Sequence, residues 1–274
     1  MALSQRRYIS KRSPDYTMPS PGRQTSGMAE GQESLWFGLG RVVWFHADCP
    51  KGHHTVDAAW HSRLMAEVYS GRLDALEQTW RVWTELGEGL TENQWSTATR
   101  CPGWTVAALY AHHSAFPRDM SAPLPSSDAV GDPVTAGELL RWFNAPEGVA
   151  HMMAETIADQ VVSDAAEHTR RELIDRFSVH GPRALQRLRQ ADATLVVPWH
   201  TSGAVIMLVE ALRIVLLEAT VHLLDVQRAL DHPPLVPPSA LKDTAQLLAE
   251  LAPAVEFIEA ATGRSTHSPL PVLR

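Results

Sequence analysis

The run from Val205 to Leu230, VIMLVEALRIVLLEATVHLLDVQRAL, restricts more than any other segment how this chain can fold. It is apolar enough to demand burial, yet Glu218, His222 and Asp225 are embedded in it. Each of these groups costs free energy to bury unless a partner satisfies it. Residues 205–223 raise the question of a membrane span, but Glu210, Arg213, Glu218 and His222 would be very expensive in hydrocarbon. The run reads instead as a buried helix of a soluble protein, with no membrane partner.

On a helix, at about 100° per residue, Glu218, His222 and Asp225 share an arc of roughly 60°. Ala211, Ile214, Val215 and Ala229 lie on or beside that arc. Arg213 and Gln227 are expected on the opposite, outward side, with Glu210 and Arg228 at the flanks. Glu and His at i and i+4 stand one above the other, about 5–6 Å apart at Cβ. Such an inward pair can grip a metal ion if a neighbouring helix adds a third ligand. Three protein ligands leave positions open for water or substrate, as in a catalytic metal site. The commoner use of an i,i+4 Glu–His pair is a local hydrogen bond or weak ion pair, and Asp225 reads still more readily as a mere helix partner of Arg228 at i+3.

The remaining chain supplies further helices. Leu73, Leu76, Trp80, Trp83 and Leu86 recur at spacings of three and four, which predicts a helix over Asp57–Leu86, ended by Gly87 and Gly89. Thr105 is placed to cap a second helix, Val106 to Phe116, closed by Pro117 and carrying His112–His113. That helix is apolar nearly all round, so either histidine can face the core. Helical pattern follows over Ala136–Phe143, residues 148–177 and Pro182–Ala191, then an apolar link Thr194–Trp199, and a last helix Leu241–Ala261. No alternating strand run is evident. The expected fold class is all-α, an up-and-down bundle with one main domain.

Bulk properties narrow the function. With 274 residues, 45% of them hydrophobic, the chain can bury a sizeable core. A net charge of −7 argues against nucleic acid as a partner. Two cysteines, Cys49 and Cys101, make no disulfide framework and fit a reducing cytosol; the first residues lack the apolar stretch of a secretory signal. A cytoplasmic protein is expected. Residues 1–34 are rich in Ser, Pro, Gln, Gly and Arg, and 35–56 (LWFGLGRVVWFHADCPKGHHTV) have neither period. Residues 1–56 are therefore expected to be a disordered or atypical extension, or to lie upstream of a true start at Met65.

Other candidates carry less. Cys101 precedes a helix start, but no base is fixed near it in sequence. His168 and His180 sit among charged residues and read as solvated. Trp80, Trp83 and Trp104 read as core anchors. There is no Gly-rich phosphate loop, no GxSxG elbow and no zinc-finger spacing.

RCPGWTVAALYAHH (100–113), followed far downstream by EATVHLLDVQRAL (218–230), resembles the mycothiol-dependent maleylpyruvate isomerase family. That family sits within the DinB-like four-helix-bundle metalloenzymes. Its pattern has C-P-G-W-T-V with a histidine eight residues after the tryptophan, then a Glu-x-x-x-His-x-x-Asp helix. The likeness covers about Met65 to Arg274 and implies a DinB-like metal-binding bundle over 57–274. It selects His112 rather than His113, and implies His112, Glu218 and His222 as ligands of a divalent metal, usually zinc. Asp225 matches the aspartate implicated in activity or substrate binding.

The resemblance also implies a cosubstrate, mycothiol or a similar low-molecular-weight thiol, and a small electrophile as substrate. The isomerase carries an additional small C-terminal domain, for which little room follows the last helix here. Thiol S-transfer is therefore expected ahead of cis–trans isomerisation. The competing expectation is a non-catalytic bundle that binds a small ligand or a protein. A homodimer is compatible with either.

Overall fold

In the computed structural model, the described residues are 54–124, 131–199, 203–265 and 267–273. The N-terminal extension expected over 1–56 lies outside them as far as residue 53. Helix α1 (His54–Gly89) is the longest element. Gly87 falls inside it, where a side chain would press on Tyr110 and Ile174. After a short α2 (Glu92–Trp95), helix α3 (Val106–Met120) is capped by the Thr105 hydroxyl, which accepts from Ala108 N–H. Pro117 does not close α3 as expected. Without an N–H, Pro117 cannot bond the carbonyl four residues back, yet the helix runs on until the Ser121 N–H bonds back to the carbonyls of Pro117 and Arg118.

Helix α4 (Ala136–Phe143) has the expected limits and a full capping box between Thr135 and Glu138. The region expected as one helix over 148–177 is divided into α5 (Val149–Met152), α6 (Ala154–Glu167) and α7 (Arg170–Asp175), the last two parted at His168, whose backbone is extended. One π-helical segment, Arg176–His180, joins α7 to α8 (Gly181–Gln190). The apolar link becomes a strand: β1 (Val196–Trp199) pairs antiparallel with β2 (Ala204–Met207). Strands of four residues are too short to show an alternating pattern, which is why none was expected.

Helix α9 (Leu208–Ala229) carries the opening run from Leu208 onward; the run's first three residues, 205–207, expected in the helix, belong to β2 instead. The last helix is two: α10 (Pro238–Leu251) and α11 (Ala254–Ala261), since Pro253 forces Ala252 into extended backbone.

The fold is all-α with a DinB-like bundle, and the hairpin is a minor addition. Helices α1, α3 and α9 and the α7–α8 limb pack around one core. Trp83 lies at its centre. It is stacked on Phe177 with ring centres 5.3 Å apart, meets Tyr110 edge-on at 4.8 Å, and donates its indole N–H to Ala219 O at 3.1 Å. A second cluster, with Leu139, Ile206, Ile214 and Leu247, joins α4, α10 and the hairpin to the other flank of α9.

Because α9 is covered on that flank too, the expected outward face does not exist. Arg213 is buried and its two terminal nitrogens bond Glu250 at 2.7 and 2.6 Å. Gln227 is fully buried and accepts from Leu235 N–H. Among the described residues no helix is long and apolar enough to cross a membrane.

Candidate metal centre

The site begins at a turn. Cys101–Pro102–Gly103–Trp104 closes with Trp104 N–H bonding Cys101 O at 3.0 Å, and Gly103 has φ +80°. Proline at the second position and a positive φ at the third make a type II turn, which explains the P-G pair. The Thr99 hydroxyl donates to Trp104 O, and Val106 N–H bonds Thr97 O, so the turn is pinned to the start of α3. Trp104 thereby stands over His112, with ring centres 5.0 Å apart, and 6.2 Å from His222.

His112 from α3 and His222 from α9 then meet, ring centres 5.1 Å apart and planes at 86°. Their Nε2 atoms lie 3.8 and 3.2 Å from the same oxygen, Oε2 of Glu218. One donor atom from each of the three falls within 4.8 Å of the others. Ligand atoms around a tetrahedral zinc, with Zn–N and Zn–O near 2.0–2.1 Å, stand roughly 3.3 Å apart. Two imidazole nitrogens 3.8 and 3.2 Å from one carboxylate oxygen are the donor types, near the spacing, that would fit a divalent ion. All three side chains remain partly exposed, so an ion here would have a solvent-facing side.

Adjacent His113 has a different fate. It is fully buried, accepts from Trp80 Nε1–H at 3.3 Å, and stacks against Phe177. Burial first, then the charges of His222 and His112, push its pKa well below the ordinary value, so it stays a neutral core residue. The doublet that spacing left undecided is thus divided into one residue facing Glu218 and one facing the core.

Behind His222 the structure places a carboxylate. Asp225 Oδ2 is 3.1 Å from His222 Nδ1, and its Oδ1 accepts from Arg100 Nε and Nη2 at 3.0 and 2.6 Å. Cys101 Sγ is 3.5 Å from Oδ2. Asp225 therefore pairs with Arg100 and not with Arg228. Cys101, for which sequence offered no neighbouring base, sits beside two ionisable groups. Only the fold brings it there, across 124 positions.

Electrostatics follow from this packing. Burial alone would raise the Glu218 carboxyl, but hydrogen bonds from His112 and His222 and their charges outweigh it and hold the pKa far below the usual range. Burial would lower His222, whereas Asp225, Cys101 and Glu218 around its ring raise it well above the ordinary value. Asp225 likewise resists the effect of burial through His222 and Arg100 and stays ionised. His168 and His180, expected to be solvated, are half-buried: His168 Nδ1 meets Asp164, and His180 Nδ1 lies 3.1 Å from the Ser121 hydroxyl.

The bundle is DinB-like, and its helices α3 and α9 bring donor atoms of His112, Glu218 and His222 together. The family profile of the mycothiol maleylpyruvate isomerase N-terminal domain matches residues 76–227, more than half of the chain and all of the donors above. The chain belongs to that family. No curated protein and no solved structure matches it.

Proposed function

We propose that this chain is a metal-dependent enzyme that uses a low-molecular-weight thiol, mycothiol or a close analogue, against a small electrophile. The reaction is S-transfer, or addition and elimination across a double bond that ends in cis–trans isomerisation. The observation that carries the reading is the convergence of His112 and His222 on one oxygen of Glu218 beneath the Trp104 ring. Family membership supplies the relation to mycothiol.

His112, Glu218 and His222 would hold a divalent ion, zinc first among them. Such an ion supplies positive charge that lowers a thiol's pKa and keeps a thiolate available at neutral pH. The chain's own residues do the rest. Trp104 and Phe116 flank His112 and wall one side of the site with apolar surface, which limits water. The partly exposed edges of Glu218 and His112 leave the other side open to substrate and thiol. Asp225 Oδ2 faces the far nitrogen of His222, Nδ1, at 3.1 Å.

Thiol consumption by the zinc-loaded protein, followed against a panel of small electrophiles, tests this reading. Consumption that disappears in Glu218→Ala is expected. Absence of consumption with every thiol and electrophile offered would contradict it.

A further inference from the structure

We infer that Arg100 and Asp225 act as a clamp that fixes His222 as a ligand, with Arg100 a positioning residue working through Asp225 and neither group touching the ion or the reacting atoms. The inference rests on the metal-dependent reading above and deepens it. Four donors fill the two oxygens of Asp225: Arg100 Nε and Nη2 on Oδ1, His222 Nδ1 and Cys101 Sγ on Oδ2. A carboxylate oxygen offers about two lone-pair sites, so Asp225 has nothing left with which to take a proton from a substrate. Its side chain is also only 8% exposed.

What a saturated carboxylate can do is hold a ring. Asp225 can only accept, so His222 Nδ1 carries hydrogen and Nε2 is the atom turned toward Glu218. Ligand histidines are oriented in this way by a partner on the far nitrogen. Arg100 completes the chain from outside. Its side chain is 59% exposed while Asp225 is buried, and an ion pair with one exposed partner adds little to stability. Its geometric effect is larger: two N–H groups on one oxygen leave Oδ2 facing His222.

Cys101, His222 and Asp225 also bring donor atoms within 4.8 Å of one another, so an ion could be imagined among them. A guanidinium nitrogen at 2.6 Å already supplies positive charge to that carboxylate, and a second cation would be repelled by it. The clamp, rather than a second metal set, is the role the neighbours of Asp225 fit.

Zinc affinity measured by competition with a chromophoric chelator, without added thiol, tests this in wild type, Arg100→Ala, Asp225→Ala and the double variant. Melting curves without zinc check that each variant folds. Loss of an orienting partner is expected to weaken zinc about 10–100-fold in Asp225→Ala, and about tenfold in Arg100→Ala. The double variant should bind no worse than Asp225→Ala, since Arg100 acts only through Asp225.

Arg100→Ala with wild-type affinity, or a double variant weakened by the product of both effects, would overturn the clamp and leave the metal reading standing. A folded wild type without zinc affinity would overturn both. Cobalt-loaded wild type should show no sulfur-to-cobalt charge-transfer band; a band lost in Cys101→Ser would place the ion in the Cys101 set and overturn the clamp.

Discussion

Trp83 donates its indole N–H to the carbonyl of Ala219 across 3.1 Å, fastening α1 to α9 one residue beyond Glu218. The bond lies in the most buried part of the core, where Tyr110 OH in turn bonds Trp83 O at 2.9 Å. Trp83→Phe removes the donor and part of the ring. It is expected to cost about 1–3 kcal/mol of unfolding free energy, read as a lower urea midpoint, and to weaken zinc binding through the loosened Glu218 turn.

The two adjacent histidines should separate by experiment. His113 is enclosed by Trp80, Trp83, Phe116 and Phe177. His113→Ala is expected to lower stability by about 2–5 kcal/mol, in the manner of a large core truncation. His112→Ala should stay within about 1 kcal/mol of wild type and instead lose the rise in melting temperature that zinc confers on a protein binding it only when folded. Thermal melts with and without zinc report both.

Gly103 has φ +80° and open space where a side chain would go. Any cost of Gly103→Ala is therefore backbone strain, about 1–2 kcal/mol for an L-residue in the left-handed region. The turn that carries Cys101 and Trp104 should shift, which a change in tryptophan emission would report.

Acid should weaken one ion pair in particular. Asp164 receives two bonds from the buried Arg176, at 2.8 and 3.2 Å. Burial alone would raise its carboxyl, but Arg176, with His168 and Arg118, holds it below the ordinary 3.8. A depressed folded pKa means that the stabilisation is complete above the unfolded value and is lost as pH falls through the folded one. Wild type should therefore exceed Asp164→Asn in stability at neutral pH, with the gap closing below about pH 4. Denaturation midpoints at a series of pH values check this.

What sequence could and could not disclose follows from the range of each interaction. The Thr105 cap, the Ala136–Phe143 helix and the shared arc of Glu218, His222 and Asp225 are local, and periodicity is enough to read them. The neighbours of α9 are not local. Arg213 and Gln227 were expected outside because a wheel knows one helix alone, whereas α10 and α4 cover that side. The arginine that pairs with Asp225 lies 125 positions away, so the nearer Arg228 was the natural but mistaken choice. Pro253, by contrast, was readable: the residue before a proline avoids helix, and the break at Ala252 follows from it.

The central claim is that His112, Glu218 and His222 together hold a divalent ion, and zinc uptake by metal-free protein measures it most directly. Calorimetric titration of folded wild type should show a single ion per chain. That uptake should be abolished in Glu218→Ala and in His112→Ala and retained in Cys101→Ser. Wild type that takes up no zinc, or variants that bind it as wild type does, would contradict the account.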